Sequence, residues 1–233
     1  MFYLDPRYML FMAPAFLLML LVQWYVNSSY SKWGKVPTRL HISGAQAAEQ
    51  LIRYGGLQNV QIGTTPGNLT DHYDPRDKTL YLSPNVYQGA SVAAVAVAAH
   101  ELGHALQDKE NYGPLRLRSA LVPAVNIGSY LGWILIIIGL IFQITGVAWL
   151  GVLIFSAGAV FALATLPVEL NASARAKQML REAGIIYGDE EMQGVNQVLN
   201  AAALTYVAAL VTAVLQLLYY VTLVLSLGGR RRD

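Results

Sequence analysis

Two histidines and a glutamate stand at a spacing that can support chemistry. His100, Glu101 and His104 lie in the sequence His-Glu-Leu-Gly-His. The surrounding residues 90–107 are rich in alanine and contain no proline, which predicts one continuous helix. Side chains four positions apart on a helix share one face, so both imidazoles can bind one zinc ion. Glu101 can then take a proton from a water on that metal, as in metal-dependent hydrolases with this pattern.

The composition indicates a membrane protein. The chain has 233 residues, of which 55% are hydrophobic and only 13% are charged, whereas soluble domains carry about 25% charged residues. The net charge of +2 is too small to indicate a nucleic acid as a partner. The chain contains no cysteine, which excludes disulfides and cysteine-ligated zinc.

Four apolar segments have about the length of 20 residues that is needed to cross a bilayer. They occupy residues 8–26, 120–142, 147–166 and 203–227. A short uncharged link joins the second and third segments, which predicts a transmembrane hairpin. Residues 27–118 form a polar domain, and residues 167–202 form a polar helical segment. The predicted fold is therefore mainly α: a polytopic membrane protein with about four transmembrane helices. Its small α+β domain is zincin-like in carrying the His-Glu-x-x-His helix.

The polar domain contains three further predicted elements. Ser43 suits the N-cap of a helix Gly44–Tyr54, which a Gly-Gly pair then ends. Residues 60–62 and Thr79–Leu82 are typical of short strands, and a turn-rich stretch separates them. The strand Thr79–Leu82 precedes the metal helix. It can bind an extended substrate along its edge or serve as a purely structural strand.

The basic residues around the first span predict the orientation in the membrane. Lys32, Lys35 and Arg39 follow this span, whereas Arg7 precedes it. The positive-inside rule therefore places the polar domain, and the active site with it, in the cytoplasm. The arginines at 230–232 favour the opposite orientation.

Two histidines do not complete a catalytic zinc site, which usually has three protein ligands and a water. The candidates for the third ligand are His41, His72 and Glu169. Glu169 directly follows an apolar span, where an acidic residue is unusual, although it also suits an ordinary position at the lipid headgroups. The small residues on its helical face are Ala172, Ser173 and Ala176, and small side chains permit the close approach of another helix. The two histidines each stand alone in loop-like regions, which favours incidental roles.

Five segments together resemble the YugP-like membrane zinc metallopeptidases of bacteria. They are residues 69–75, 98–107, 118–123, 167–173 and 198–207, which read LTDHYDP, AAHELGHALQ, RSALVP, PVELNAS and VLNAAALTYV. The matching region covers most of the chain from Lys32 on. The resemblance implies a neutral zinc peptidase, related in plan to HtpX and the CAAX-prenyl endopeptidases. It also implies a multi-pass protein of the bacterial plasma membrane.

The resemblance also assigns roles to single residues. In the wider group the third zinc ligand is a glutamate on a later helix, which here falls on Glu169. The relatives often carry an aspartate four residues later. Here Ser173 stands at that position, where it can orient a histidine N–H but supplies no charge. The relatives use a later histidine or a similar donor near the substrate oxyanion, whereas this chain has no histidine after His104. Tyr206 is our predicted oxyanion donor and Arg175 a weaker candidate, although Tyr206 also suits an interfacial aromatic.

Motif and resemblance together predict a membrane-embedded zinc-dependent endopeptidase. The expected ligands of Zn2+ are His100, His104 and Glu169. The expected catalytic residues are Glu101 and Tyr206. The expected substrates are membrane proteins or peptides cleaved near the bilayer surface. Two alternatives stay open: a non-catalytic scaffold or chaperone-like protein with a structural zinc site of four ligands, and a hydrolase of a non-peptide lipid-linked substrate. The sequence leaves the oligomeric state open.

Overall fold

The computed structural model describes residues 6–229, which divide into two compact units. The polar unit consists of Gln23–Leu115 and Val168–Leu204. The apolar unit consists of residues 6–22, Arg116–Pro167 and residues 205–229. Each unit has its own cluster of buried hydrophobic residues. The arginines at 230–232, which bear on the predicted orientation, lie outside the described residues.

Within residues 6–229 the chain forms eight helices and three short strands. The helices are α1 (Pro6–Trp33), α2 (Gly44–Tyr54), α3 (Pro84–Gln88), α4 (Val92–Lys109), α5 (Gly113–Ile141), α6 (Thr145–Phe155), α7 (Ala157–Glu182) and α8 (Gly188–Gly229). The strands are β1 (Gln61–Thr64), β2 (His72–Asp74) and β3 (Thr79–Leu82). The prediction of a mainly helical fold with a small sheet is confirmed.

Four helical segments in the described chain are long and apolar enough to cross a membrane. They are Pro6–Trp33, Gly113–Ile141, Thr145–Glu182 and Gly188–Leu227. The predicted number of spans is confirmed, but the helices extend well beyond the apolar runs because the flanking polar residues also favour helix. The third segment is interrupted at Ser156, between α6 and α7, where the Ser156 hydroxyl donates to the carbonyl of Leu153 over 2.6 Å.

The apolar unit contains a close pair of helices. The link between α5 and α6 is only three residues long. A Cβ added at Gly139 of α5 would lie 2.4 Å from the main-chain nitrogen of Ala148 on α6, and one at Gly132 would lie 2.6 Å from that of Phe155. Glycine thus lets the two helices pack backbone against backbone, as small residues do between membrane helices.

Helix α2 of the polar unit occupies the residues predicted for it. The Ser43 hydroxyl accepts a hydrogen bond from the Gln46 main-chain N–H over 3.2 Å, and the Gln46 side-chain oxygen accepts from the Ser43 N–H over 2.8 Å. This reciprocal pair is a capping box, which satisfies two main-chain donors that a helix start leaves unpaired.

The three strands form one sheet in the order β1-β3-β2. Strand β1 pairs parallel with β3, and β2 pairs antiparallel with it, with Tyr73 opposite Leu80. The sequence did not predict β2, whose three residues lie in the turn-rich stretch. Strand β3 therefore has partners on both sides and is structural. The prediction that Thr79–Leu82 offers a free edge to substrate is wrong, because β2 occupies that edge.

Candidate metal centre

Helix α4 positions the two histidines of the motif. It begins at Val92, two residues later than predicted, because Ser91 acts as the N-cap and accepts from the Ala94 N–H over 3.2 Å. The apolar first half of α4 is buried in the core of the polar unit. One turn later, His100 and His104 lie on one face with ring centroids 4.9 Å apart. Each side chain keeps 13% of its surface exposed, so the pair is reachable from outside.

Glu169, on α7, completes a group of three possible metal ligands. Its Oε2 atom lies 3.3 Å from His100 Nε2 and 3.4 Å from His104 Nε2. Its side chain is buried, and the three ligand atoms all lie within 4.8 Å of one another. Two imidazole nitrogens and one carboxylate oxygen are a donor set of catalytic zinc sites, which keep a fourth position for water. The residues present therefore fit zinc.

The outer nitrogen of each histidine has its own partner. His100 Nδ1 lies 3.2 Å from the Ser173 hydroxyl, and His104 Nδ1 lies 3.0 Å from the Gln107 side-chain oxygen. Contacts at Nδ1 hold both rings with Nε2 turned towards Glu169, the arrangement by which outer partners orient metal-binding histidines. The predicted contact between Ser173 and a histidine is confirmed.

Gln107 is a residue of this site that the sequence analysis missed. It is fully buried, and its side-chain NH2 group donates to the Val168 carbonyl over 2.8 Å and to Asn171 Oδ1 over 2.9 Å. The same Asn171 oxygen accepts from Arg175 Nε over 2.7 Å. Its position three residues after His104, on the same helical face, was the one signal in the sequence.

Arg175, the weaker candidate for an oxyanion donor, is engaged elsewhere. Besides its bond to Asn171, its guanidinium pairs with Glu110 over 2.7 Å and lies 5.7 Å above the ring of Tyr112. Arg175 therefore holds the side chain of Asn171 in place.

Helices α4 and α7 approach each other closely at Gly103. A Cβ added there would lie 2.4 Å from the carbonyl oxygen of Ala172. Ala172 and Ala176 are themselves fully buried. The close approach expected from these small side chains is therefore present, and it brings the Glu169 segment within reach of both histidines.

Glu101 is partly buried beside the ligand group and does not belong to it. Its Oε2 accepts a hydrogen bond from the main-chain N–H of Tyr73, on β2, over 3.2 Å. Burial raises the pKa of the Glu101 carboxyl, and the neighbouring charges of His100 and His104 only partly offset this rise. A carboxylate with a raised pKa is a stronger base, which suits proton transfer.

The other histidine candidates lie apart from this group. His41 is exposed and has a positive φ of 50° in the loop before α2. His72 is exposed on β2, where its ring stacks on Tyr81 at a centroid distance of 5.0 Å and its Nδ1 lies 2.9 Å from the Thr70 carbonyl. Tyr206 lies on α8 in the apolar unit, and its role as an oxyanion donor stays a prediction.

Comparisons with known proteins show which family the chain belongs to. Residues 8–225 match the family model described as "Putative neutral zinc metallopeptidase". The chain is 44% identical over 204 residues, covering 88% of this chain and 90% of the relative, to the "Putative membrane protease YugP" of Bacillus subtilis (strain 168). No solved structure gives a significant match. The family model spans nearly the whole chain, and the chain therefore belongs to this family of zinc metallopeptidases.

Proposed function

We propose that the protein is a membrane-embedded zinc-dependent endopeptidase. The observation that carries this proposal is the convergence of His100, His104 and Glu169, with Glu101 next to them on α4. Membership of a zinc metallopeptidase family supports the metal and the reaction class. The name of the Bacillus subtilis relative and the four apolar helices support a place in the membrane.

His100, His104 and Glu169 would hold the metal, and catalytic zinc sites with three protein ligands keep a fourth position for water. Zinc, when bound, supplies a positive charge that lowers the pKa of a water molecule and polarises the peptide carbonyl. His100 and His104 would offer their Nε2 atoms, and the Glu169 carboxylate would offer an oxygen from α7. The contacts of Ser173 and Gln107 hold the two rings in this orientation.

Glu101 acts as the proton carrier. It accepts a proton from the attacking water and then donates it to the leaving amine. The Tyr73 N–H fixes the Oε2 atom of Glu101, so the second carboxylate oxygen can face the water. Tyr206 is proposed to donate a hydrogen bond to the oxyanion of the tetrahedral intermediate.

The proposed substrates are membrane proteins or peptides cleaved close to the bilayer surface. Glu169 follows directly after an apolar span in the sequence, which favours a site near the lipid headgroups. Strand β2 is the edge of the sheet beside Glu101, so an extended substrate would reach the site along β2. We propose that the protein lies in the bacterial plasma membrane with the active site facing the cytoplasm.

The variant Glu101→Gln tests the reaction. We expect it to keep the fold and the bound zinc but to lose at least about 100-fold of peptide hydrolysis, because general base catalysis is removed while the metal ligands are untouched. Hydrolysis is measured on a quenched fluorescent transmembrane peptide with the purified protein in lipid bilayers, and zinc by metal analysis of the same samples. Glu49→Gln, an exposed change on α2, is the matched control and should cleave at the normal rate.

Three results would contradict the proposal. Cleavage by Glu101→Gln at the normal rate would remove Glu101 from the chemistry. A native protein that binds zinc but cleaves neither this peptide nor a library of membrane-protein segments would favour the non-catalytic scaffold. Release of a non-peptide group from a lipid-linked substrate would favour the other alternative.

A further inference from the structure

We propose that Gln107 is a positioning residue that holds the ring of His104 with Nδ1 protonated and Nε2 turned towards the metal site. This inference rests on the proposed zinc site and adds a residue to it. The hydrogen-bond chain behind it runs from Arg175 through Asn171 and Gln107 to His104.

The orientation of the Gln107 amide follows from its neighbours. A main-chain carbonyl can only accept a hydrogen bond, so the group 2.8 Å from the Val168 oxygen is the amide NH2. The contact with Asn171 supports the same orientation of the Gln107 amide. A guanidinium can only donate, so the Asn171 atom 2.7 Å from Arg175 Nε must be its side-chain oxygen. That oxygen also accepts from Gln107, which places the remaining amide oxygen towards His104.

One proton of His104 is then located. An amide oxygen cannot donate, so His104 Nδ1, at 3.0 Å, must carry a proton and donate it to Gln107. The other nitrogen, Nε2, faces Glu169 and is the one left for the metal. Gln107 therefore holds the ring of His104 in the orientation that presents Nε2 to the metal site.

The two histidines differ in this respect. His100 Nδ1 faces the hydroxyl of Ser173, which can donate or accept, so this contact does not select a tautomer. Gln107 is also fully buried, so water does not compete for its amide. The ring orientation and the Nδ1 proton of His104 should therefore depend on Gln107 more strongly than those of His100 depend on Ser173.

Two substitutions at one position separate a positioning role from a structural one. Gln107→Met keeps the length of the side chain but removes the acceptor for His104 Nδ1. Gln107→Glu keeps an acceptor for His104 but cannot donate to the Val168 carbonyl or to Asn171. Gln197→Met is the matched control, because Gln197 accepts a hydrogen bond from Trp33 Nε1 in the same unit.

The measurements are zinc affinity, by competition with a chelator, and the Nδ1–H signals of the histidines in the zinc-loaded protein, by 15N NMR. We expect Gln107→Met to weaken zinc binding at least about 10-fold, as changes to outer partners of metal ligands do, and to remove the His104 Nδ1–H signal because the proton loses its acceptor. Gln107→Glu should keep this Nδ1–H signal and recover most of the affinity. Gln197→Met should match the native protein in both measurements.

A purely structural link between α4 and α7 predicts a different pattern, in which Gln107→Glu binds zinc as weakly as Gln107→Met. That pattern, or native affinity in Gln107→Met, overturns the inference. Neither measurement uses proteolysis. If the variants show the expected zinc and NMR pattern but the native protein cleaves no peptide, the proposed function alone is refuted. A protease in which Gln107→Met leaves zinc affinity unchanged refutes this inference alone.

Discussion

At the scale of single residues, Glu169 brings a buried negative charge between two imidazoles. Its carboxylate would lower the net charge of a zinc site by one, which a third histidine would not do. We expect Glu169→Ala to weaken zinc affinity at least about 10-fold, the lower end of the effect seen for outer partners of ligands. The measurement is chelator competition on the purified protein in detergent.

Two control variants accompany the Glu169 experiment. Glu191→Gln changes another buried glutamate of the polar unit, whose carboxylate accepts from the main-chain N–H groups of Arg39 and Tyr187. His41→Ala removes an exposed histidine. Both should bind zinc nearly as tightly as the native protein. Full stoichiometry at native affinity in Glu169→Ala would exclude Glu169 and make His72 the next ligand candidate.

The sequence identified the residues that converge, but by two different routes. His100 and His104 follow from helical spacing alone, because one turn brings them together. Glu169 differed locally from the two histidine candidates because it follows an apolar span, but only the family resemblance assigned it to the metal. Gln107 was missed although it lies three residues after His104, because its partners Val168 and Asn171 are 61 and 64 residues away. Helical periodicity shows which face of the helix a residue occupies. It does not show which other segment of the chain packs against that face.

At the scale of elements, the contact of α4 with α7 depends on Gly103. A Cβ there would lie 2.4 Å from the main-chain oxygen of Ala172, and main chain cannot yield as a flexible side chain can. We expect Gly103→Ala to separate the helices, to lower stability by about 1–3 kcal/mol, and to weaken zinc binding because Glu169 moves with α7. The measurements are the free energy of unfolding in denaturant and the zinc affinity.

Gly113→Ala is the matched control for this change. A Cβ at Gly113, at the start of α5, meets no atom within 4 Å. This variant should keep native stability and zinc affinity. If Gly103→Ala behaves in the same way, the close approach of the two helices is not needed for the ligand group.

The helices and strands also show which elements a sequence pattern can predict and which it cannot. Helix α2 was predicted over its full length because Ser43 and the Gly-Gly pair mark both ends chemically. Strand β2 was missed because three residues are too few to show alternation, and its pairing with β3 is set by the fold. Strand β3 was predicted from the sequence, but its central position in the sheet was not, because that position depends on the pairing with β2.

At the scale of the whole molecule, the proposed orientation can be read by chemical labelling. The native chain has no cysteine, so Asn59→Cys introduces a single thiol at an exposed loop of the polar unit. We expect this thiol to resist membrane-impermeant reagents in intact cells, because the basic residues after the first span favour the cytoplasm. The readout is the mass of the purified protein after labelling.

A second thiol provides the comparison. Gly146→Cys lies at the start of α6, where an added Cβ meets nothing within 4 Å, and the proposed orientation places it on the outer face. It should be labelled readily in intact cells. The reverse pattern, with Asn59→Cys labelled and Gly146→Cys protected, would put the active site outside the cell.

Hydropathy located the four spans because burial in lipid requires long apolar runs. Hydropathy did not show how far each helix continues, because the main-chain hydrogen bonds of a helix can continue beyond the apolar run. The interruption at Ser156 was also unforeseen, because an apolar run with serine in it remains compatible with an unbroken helix.

The separation of His100 and Glu169 by 69 residues has a consequence for chain entropy. Zinc bound by both would close a long loop that the unfolded chain leaves open, so part of its binding free energy becomes folding free energy. By mass action, free zinc at 100 times its dissociation constant would add about 2.7 kcal/mol to stability. In a cell short of zinc, more of this protein would be in the less stable zinc-free form. The cell's quality-control proteases would degrade that form faster than the zinc-bound form.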